Sequence, residues 1–266
     1  KYYPRLNKQG IPVCYMFQNK NGRGFTQVAD FYMVPLLHIF SDNFEENKRV
    51  LKINRRYFET PIYIEVPSSA LLKMSTIESV LINYEAVNFV DGEEWQWRRI
   101  KEYMSRHFVK CSEIQVYGNQ QSEGMSRKAD EQFFAFANGI AHQKEDGTFG
   151  FDKINELGVV THNKSNYYLP AFSTIYAGSG RQSDRYELIS QLAYEEVCPS
   201  KQVSFEQWAD LMDRVYKINN NGKWAIVFAL MCAFRSNIHC LDRLFTAPFF
   251  MGPMSSGKTQ IAISIR

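Results

Sequence analysis

The sequence predicts an α+β chain in three parts: a β-rich N-terminal domain over residues 1–175, a helical middle domain over residues 180–245, and the first strand, loop and helix of an α/β domain over residues 246–266. Three observations predict it. Apolar and aromatic runs separated by turn signals dominate the sequence up to about residue 175. From about Asp184 the pattern changes to helical spacing with recognisable caps. Near the end, the apolar run Phe249-Phe250-Met251 leads into a glycine-rich loop, and the apolar helix start Ile261-Ala262-Ile263 follows.

Composition narrows the class. Of 266 residues, 45% are hydrophobic and 22% charged, which excludes a disordered chain. The 20 Phe and 15 Tyr suit a β-rich core. A formal charge of +3 neither demands nor excludes a nucleic-acid partner, so any basic surface has to come from local clustering. Cys14, Cys111, Cys198, Cys232 and Cys240 are odd in number, widely spaced and without a CxxC pair. They fit free thiols in a reducing cytoplasm rather than a disulfide framework or a zinc ribbon. The longest apolar run, residues 224–234, is too short to cross a bilayer, so no membrane partner is expected. No signal peptide is visible, and the expected location is cytoplasmic. Residue 1 is Lys, which reads as a boundary within a longer protein.

The elements follow in order. Val13–Phe17, Phe25–Val34 and Leu36–Phe40 read as strands, with Asn21-Gly22 as a hairpin signal between the first two. Arg49–Asn54 and Tyr57–Val66 form a second pair, and Pro67 ends it. Ser75 and Glu78 make a capping box for a helix over Thr76–Tyr84. A helix over Glu93–Phe108 carries Trp97, Ile100, Met104 and Phe108 on one stripe. Its acids lie first and its bases last, as the helix dipole prefers. Strands return at Glu113–Tyr117, Phe133–Phe136 and Gly158–Thr161, with a polar loop over Gly118–Asp130. Helices follow at Arg185–Glu196 and after the capping box Ser204-Phe205-Glu206-Gln207. Asn219-Asn220-Asn221-Gly222 interrupts them, and an apolar helix runs from Lys223 to near Ser236-Asn237.

The residues with the clearest chemistry are Gly252, Pro253, Met254, Ser255, Ser256, Gly257, Lys258 and Thr259. They match the phosphate-loop pattern GxxxxGK[ST] at all its specified positions. Gly252 and Gly257 let backbone wrap closely around phosphate. The loop N–H groups and the next helix N-terminus converge partial positive charge on it. Lys258 is placed to reach the β- and γ-phosphates of ATP, and the Thr259 hydroxyl to ligate Mg²⁺. A Walker B acid, a water-positioning residue and an arginine finger lie downstream or on a neighbouring subunit in such ATPases, and none is assigned here. The 266-residue chain alone is therefore expected to be inactive as an ATPase.

The stretch from about Arg55 to Arg266 resembles the domain-of-unknown-function 927 family, found beside primase modules in phages, plasmids and conjugative elements. The likeness rests on Tyr57 through Val66-Pro67 to Leu72, a helix ending near His107-Phe108, Phe133–Gly139 leading to Tyr167–Pro170, and an apolar helix returning to PFFMGPMSSGKT. The sequence departs from the family where Val116-Tyr117-Gly118-Asn119 stands in place of a Gly-Trp. The resemblance implies a viral-type AAA+ helicase core, a homo-oligomer that is hexameric in full length, a DNA partner, and a primase module. The implied activity is ATP-dependent DNA unwinding coupled to priming. A rival reading is a non-enzymatic DNA-binding or subunit-interaction module that precedes a P-loop ATPase. A third is a P-loop ATPase without a DNA role.

Two further segments carry weaker signals. Trp95-Gln96-Trp97-Arg98-Arg99 with Lys101, Arg106, His107 and Lys110 suits single-strand binding, and equally an amphipathic helix with a solvated basic side. Gly178–Ser183 with Arg185 reads as phosphate-binding or as a linker. The histidines at 38, 107, 142, 162 and 239 are not spaced as a metal pair. Asn163-Lys164-Ser165 fits a glycosylation sequon without a secretion signal.

Overall fold

The structure is a computed structural model. It describes residues 2–19, 21–41, 44–115, 117–120, 132–177, 192–195, 203–216, 222–235, 238 and 251. These residues form an α+β chain that groups into two units, residues 1–115 with 156–181, and residues 116–155 with 182–266.

In the first unit, β1 (Tyr2–Leu6), β2 (Pro12–Gln18) and β3 (Phe25–Gln27) form an antiparallel sheet. The β2–β3 hairpin turns through Asn21-Gly22, with Gly22 at φ 70°. The strand predicted over Phe25–Val34 is split. Val28 and Asp30 bond instead to residues 88–90, where Val90 N–H donates to Val28 O (2.9 Å) and Asn88 N–H to the Asp30 carboxylate (2.6 Å). The chain then continues as β4 (Phe31–Phe40) straight through Pro35. Its register against β5 (Lys48–Arg55) shifts between Pro35 and Leu37, a bulge that accommodates a residue without an N–H.

The strand predicted from Tyr57 begins only at Ile62, as β6 (Ile62–Pro67). Arg55 explains the delay. Its guanidinium lies 4.1 Å from the centroid of the Phe58 ring and donates to Thr60 O and Glu85 O, which holds residues 56–61 in a turn. The strand predicted over Glu113–Tyr117 is also displaced. It forms as β7 (Val109–Glu113), parallel to β4, with Cys111 its buried residue. β12 (Val159–His162) and β13 (Ser165–Tyr168) complete a six-stranded sheet in the order β12-β13-β7-β4-β5-β6. Asn163 and Lys164, at φ 46° and 66°, form the turn between those two, so the sequon sits in a hairpin turn.

Two helices connect β6 to β7. α1 (Met74–Leu81) starts before the predicted Ser75 cap, because the Thr76 hydroxyl accepts the Lys73 N–H (3.2 Å). α2 (Glu94–Ser105) starts where its sequence indicates, with the Glu93 N–H donating to Gln96 Oε1 (2.7 Å). Trp97, Ile100 and Met104 are buried as the stripe predicts, and Phe108 packs on the same core beyond the helix.

One core cluster packs Ile77, Leu81, Trp97, Ile100 and Met104 against Phe31, Met33, Leu51, Ile53 and Ile64. Tyr15 from β2 joins it, its hydroxyl donating to Met33 O and accepting the Met33 N–H. The second cluster contains Leu37, Ile39, Val50, Cys111, Val159, Tyr168 and Ile175, the last from α3 (Thr174–Ala177).

In the second unit, β8 (Gly118–Gln120), β9 (Phe133–Phe136), β10 (Gly139–Gln143) and β11 (Phe149–Lys153) form an antiparallel meander. The predicted polar loop therefore begins as a strand, and residues 121–131 lie outside the described residues. Residues 192–195 are not helical, in contrast to the helix predicted over Arg185–Glu196, whose other residues are not described. Asn138 pins them: its side chain donates to Tyr194 O and accepts the Tyr194 N–H, each at 2.8 Å. The Tyr194 ring then packs 4.5 Å from Phe151 and 5.6 Å from Phe136. α4 (Phe205–Tyr216) carries the predicted capping box, with the Ser204 N–H donating to Gln207 Oε1 and the Gln207 N–H to Ser204 Oγ. α5 (Gly222–Ala233) is the predicted apolar helix.

Candidate functional site

Gly252, Pro253, Met254, Ser255, Ser256, Gly257, Lys258 and Thr259 lie outside the described residues, as do residues 178–183 and Arg185. Of the strand predicted over Phe249–Met251, Met251 alone is described, exposed and outside any strand. Within the described residues, ligand-binding chemistry gathers on α2, which has a cleft on each side.

Residues two apart on a helix point to opposite sides. Trp97 is therefore buried, 1% exposed, with its indole N–H directed to Leu71 O. Trp95 is 42% exposed. Its indole N–H donates to the Glu93 carboxylate (2.7 Å), and its ring meets Phe17 edge-on at 5.5 Å. About two turns along the same side, Tyr103 is hydrogen-bonded to Tyr32, whose own pKa is raised to about 12 by burial and then by Tyr103 beside it. The Tyr103 ring stacks on His107 at 4.1 Å, and His107 Nδ1 donates to Tyr103 O (2.7 Å). These rings, with Arg99 and Arg106, line a cleft of about 550 Å³.

Glu102 takes both arginines, Arg106 at 2.7 Å and Arg99 at 3.3 Å. All three side chains are largely in solvent, so each pair contributes only about 0–1 kcal/mol. The pairs orient the guanidinium groups and leave them open to exchange with another anion.

The cleft on the other side of α2, about 370 Å³, is lined by Arg49, Ser68, Leu71, Leu72, Arg98, Lys101 and Phe108 among others. Arg49 comes from β5. Its guanidinium lies 4.8 Å from the Phe108 ring centroid, and Nε donates to Ser68 Oγ. Burial pulls its pKa below the ordinary value, the mark of a partly desolvated charge. Lys101 donates to Leu72 O (3.0 Å). Among the described residues, Arg49, Arg98 and Lys101 have no carboxylate partner. His38 stands opposite Arg49 on one side and Lys110 on the other. Burial, then those two cations, lowers its pKa to about 4, so it is neutral at neutral pH.

From residue 98 to residue 110, Arg98, Arg99, Lys101, Arg106 and Lys110 face a single carboxylate, Glu102. Exposed rings set between fixed cations can stack on a planar ligand and pair with an anion. The sequence pointed to Trp95 and Trp97 together, and the structure separates them. It also adds Phe17 and Arg49 from distant strands, Ser68 from the short 3-10 helix Ser68–Leu71, and Tyr103 from α2 itself. Cys14 and Cys111 are buried, with pKa values raised by burial, that of Cys111 to about 11, so neither is an activated nucleophile. Among the described residues no helix is long and apolar enough to cross a membrane. No family model, curated protein or solved structure matches the chain.

Proposed function

We propose that this chain is the ATP-binding N-terminal portion of a DNA helicase, a primase-associated replication protein of a phage or mobile element. The observation that carries the reading is the complete GPMSSGKT loop, with an apolar run before it and an apolar helix start after it. Bound Mg-ATP supplies the phosphoryl group whose transfer drives the motor. The chain's own part is to hold it: Lys258 pairs with the β- and γ-phosphates, the Thr259 hydroxyl ligates Mg²⁺, and Gly252 and Gly257 leave room for backbone N–H groups to approach. The resemblance to primase-linked helicases extends the proposal to a homo-oligomer, hexameric in full length, working beside a primase module. A second reading, a DNA-binding or subunit-interaction module ahead of the motor, is favoured by the cationic and aromatic surface of α2.

Binding of a fluorescent ATP analogue, with and without Mg²⁺, tests the assignment. Lys258→Ala should weaken binding by at least about tenfold. Thr259→Ala should remove the dependence on Mg²⁺, and neither substitution should shift the melting curve. Unchanged binding by Lys258→Ala sinks the phosphate-loop assignment. Displacement of a labelled strand from a forked duplex by the full-length protein tests the helicase reading separately.

A further inference from the structure

We infer that α2 and the clefts beside it form a seat for single-stranded nucleic acid. Bases stack on the side of Trp95 and Tyr103, both exposed rings, and phosphates pair with Arg98, Arg99 and the Arg49–Lys101 cleft. The inference rests on the nucleic-acid reading above and gives it a place and a strandedness.

Three observations favour a single strand. Trp95 is held by its hydrogen bond to Glu93 and its ring contact with Phe17, yet 42% of it stays exposed, so a positioned aromatic ring is offered to solvent. Bases have a free face to meet such a ring only where they are not paired and stacked in a duplex. Arg49, Arg98 and Lys101 have no carboxylate partner among the described residues, and Arg49 is partly desolvated against Phe108. Glu102 also lines that cleft but pairs with Arg99 and Arg106, so a phosphate there adds counter-charge for the three cations it does not pair. Finally, α2 is 12 residues long, about 18 Å, and carries both chemistries along its length, so the seat suits an extended polyanion rather than one small anion. An acidic peptide would use the cations and leave the rings idle.

The test is fluorescence anisotropy of the 266-residue chain with a labelled oligo-dT of about 16 nucleotides, within the range one small binding fold covers. The expected result is salt-dependent binding. Arg99→Gln and Lys101→Gln should each lower the slope of log affinity against log salt by about 0.7, the value for one phosphate contact on a single strand. Trp95→Ala should weaken binding by at least about fivefold and leave that slope unchanged. Trp95→Phe should recover most of the loss, which a merely structural role would not explain. Melting curves should show every variant folded at the assay temperature, with Arg99→Gln, an exposed side chain, matching wild type. The inference is overturned if duplex DNA or poly-glutamate displaces the probe as well as unlabelled oligo-dT does. It is also overturned if well-folded Trp95→Ala and Arg99→Gln bind as wild type does. A chain that binds the ATP analogue but not the oligonucleotide overturns the inference and leaves the motor standing. Oligonucleotide binding through α2 without ATP binding does the reverse.

Discussion

Trp95 and Trp97 are separated by one residue and end in opposite surroundings, one on the surface and one 1% exposed in the core. The stripe Trp97, Ile100, Met104 was legible because helical spacing fixes which residues share a face. The partner of Trp95 was not, because Phe17 arrives from β2, and no local pattern encodes which strand end comes to rest beside a helix. His38 shows the same limit: nothing around it in sequence indicates Arg49 and Lys110 on the flanking strands. Folding takes its pKa from 6.5 to about 4. As pH falls through about 6.5 the unfolded chain gains a proton that the folded state refuses, so stability is lost, and the loss is complete below about 4. Above that window the group adds no pH dependence. Urea midpoints of wild type should therefore fall relative to those of His38→Gln between pH 6.5 and 4. Parallel curves would mean that the ring is not buried beside those cations.

Elements whose ends are set locally were read in part. The capping box of α4 forms with its predicted partners, Ser204 and Gln207. The one predicted at Ser75 and Glu78 does not, since Lys73 and Thr76 cap α1 instead. Elements whose ends are set by distant pairing were misread. β6 starts late because Arg55 reaches over to Thr60, and β7 forms early because Val109 to Ser112 align with Leu37 to Phe40. Gly118 is a further case. It reads as the opening of a polar loop, yet it begins β8 at φ 105°, and an added Cβ would lie 2.9 Å from Ala233 O on α5. A backbone carbonyl has little freedom to move aside, and the conformation itself disfavours a side chain. Gly118→Ala should cost about 1–3 kcal/mol, read as a lower urea midpoint by the fluorescence of Trp208 and Trp224. An unchanged midpoint would mean that β8 and α5 do not approach as described.

At the scale of the molecule, the change from strand to helix signals near residue 180 is plain in composition. That the β8–β11 meander groups with residues 182–266 is not, since Asn138 and Tyr194 meet across more than 50 intervening residues. The proposed phosphate loop is the opposite case: its residues lie outside the described ones, and the reading rests on sequence alone, because a backbone cradle needs particular residues at particular spacings. In the first unit, β4 gives Phe31 and Met33 to one cluster and, past the bulge at Leu36, Leu37 and Ile39 to the other. β5 likewise gives Leu51 and Ile53 to the first and Val50 to the second. Neither cluster can melt without tearing strands that the other needs, so the unit should open in one step. In native-state hydrogen exchange, the amides of Met33 and Ile39 should open with the same free energy, and Val50→Ala should lower both equally. Earlier exchange at Ile39 alone would show that the two sides are independent. Shared strands also make the sheet a two-way reporter. A ligand that binds only the folded unit at α2 adds its binding free energy to every global opening, so it should slow exchange at Ile39, on the face of the sheet that the ligand never touches.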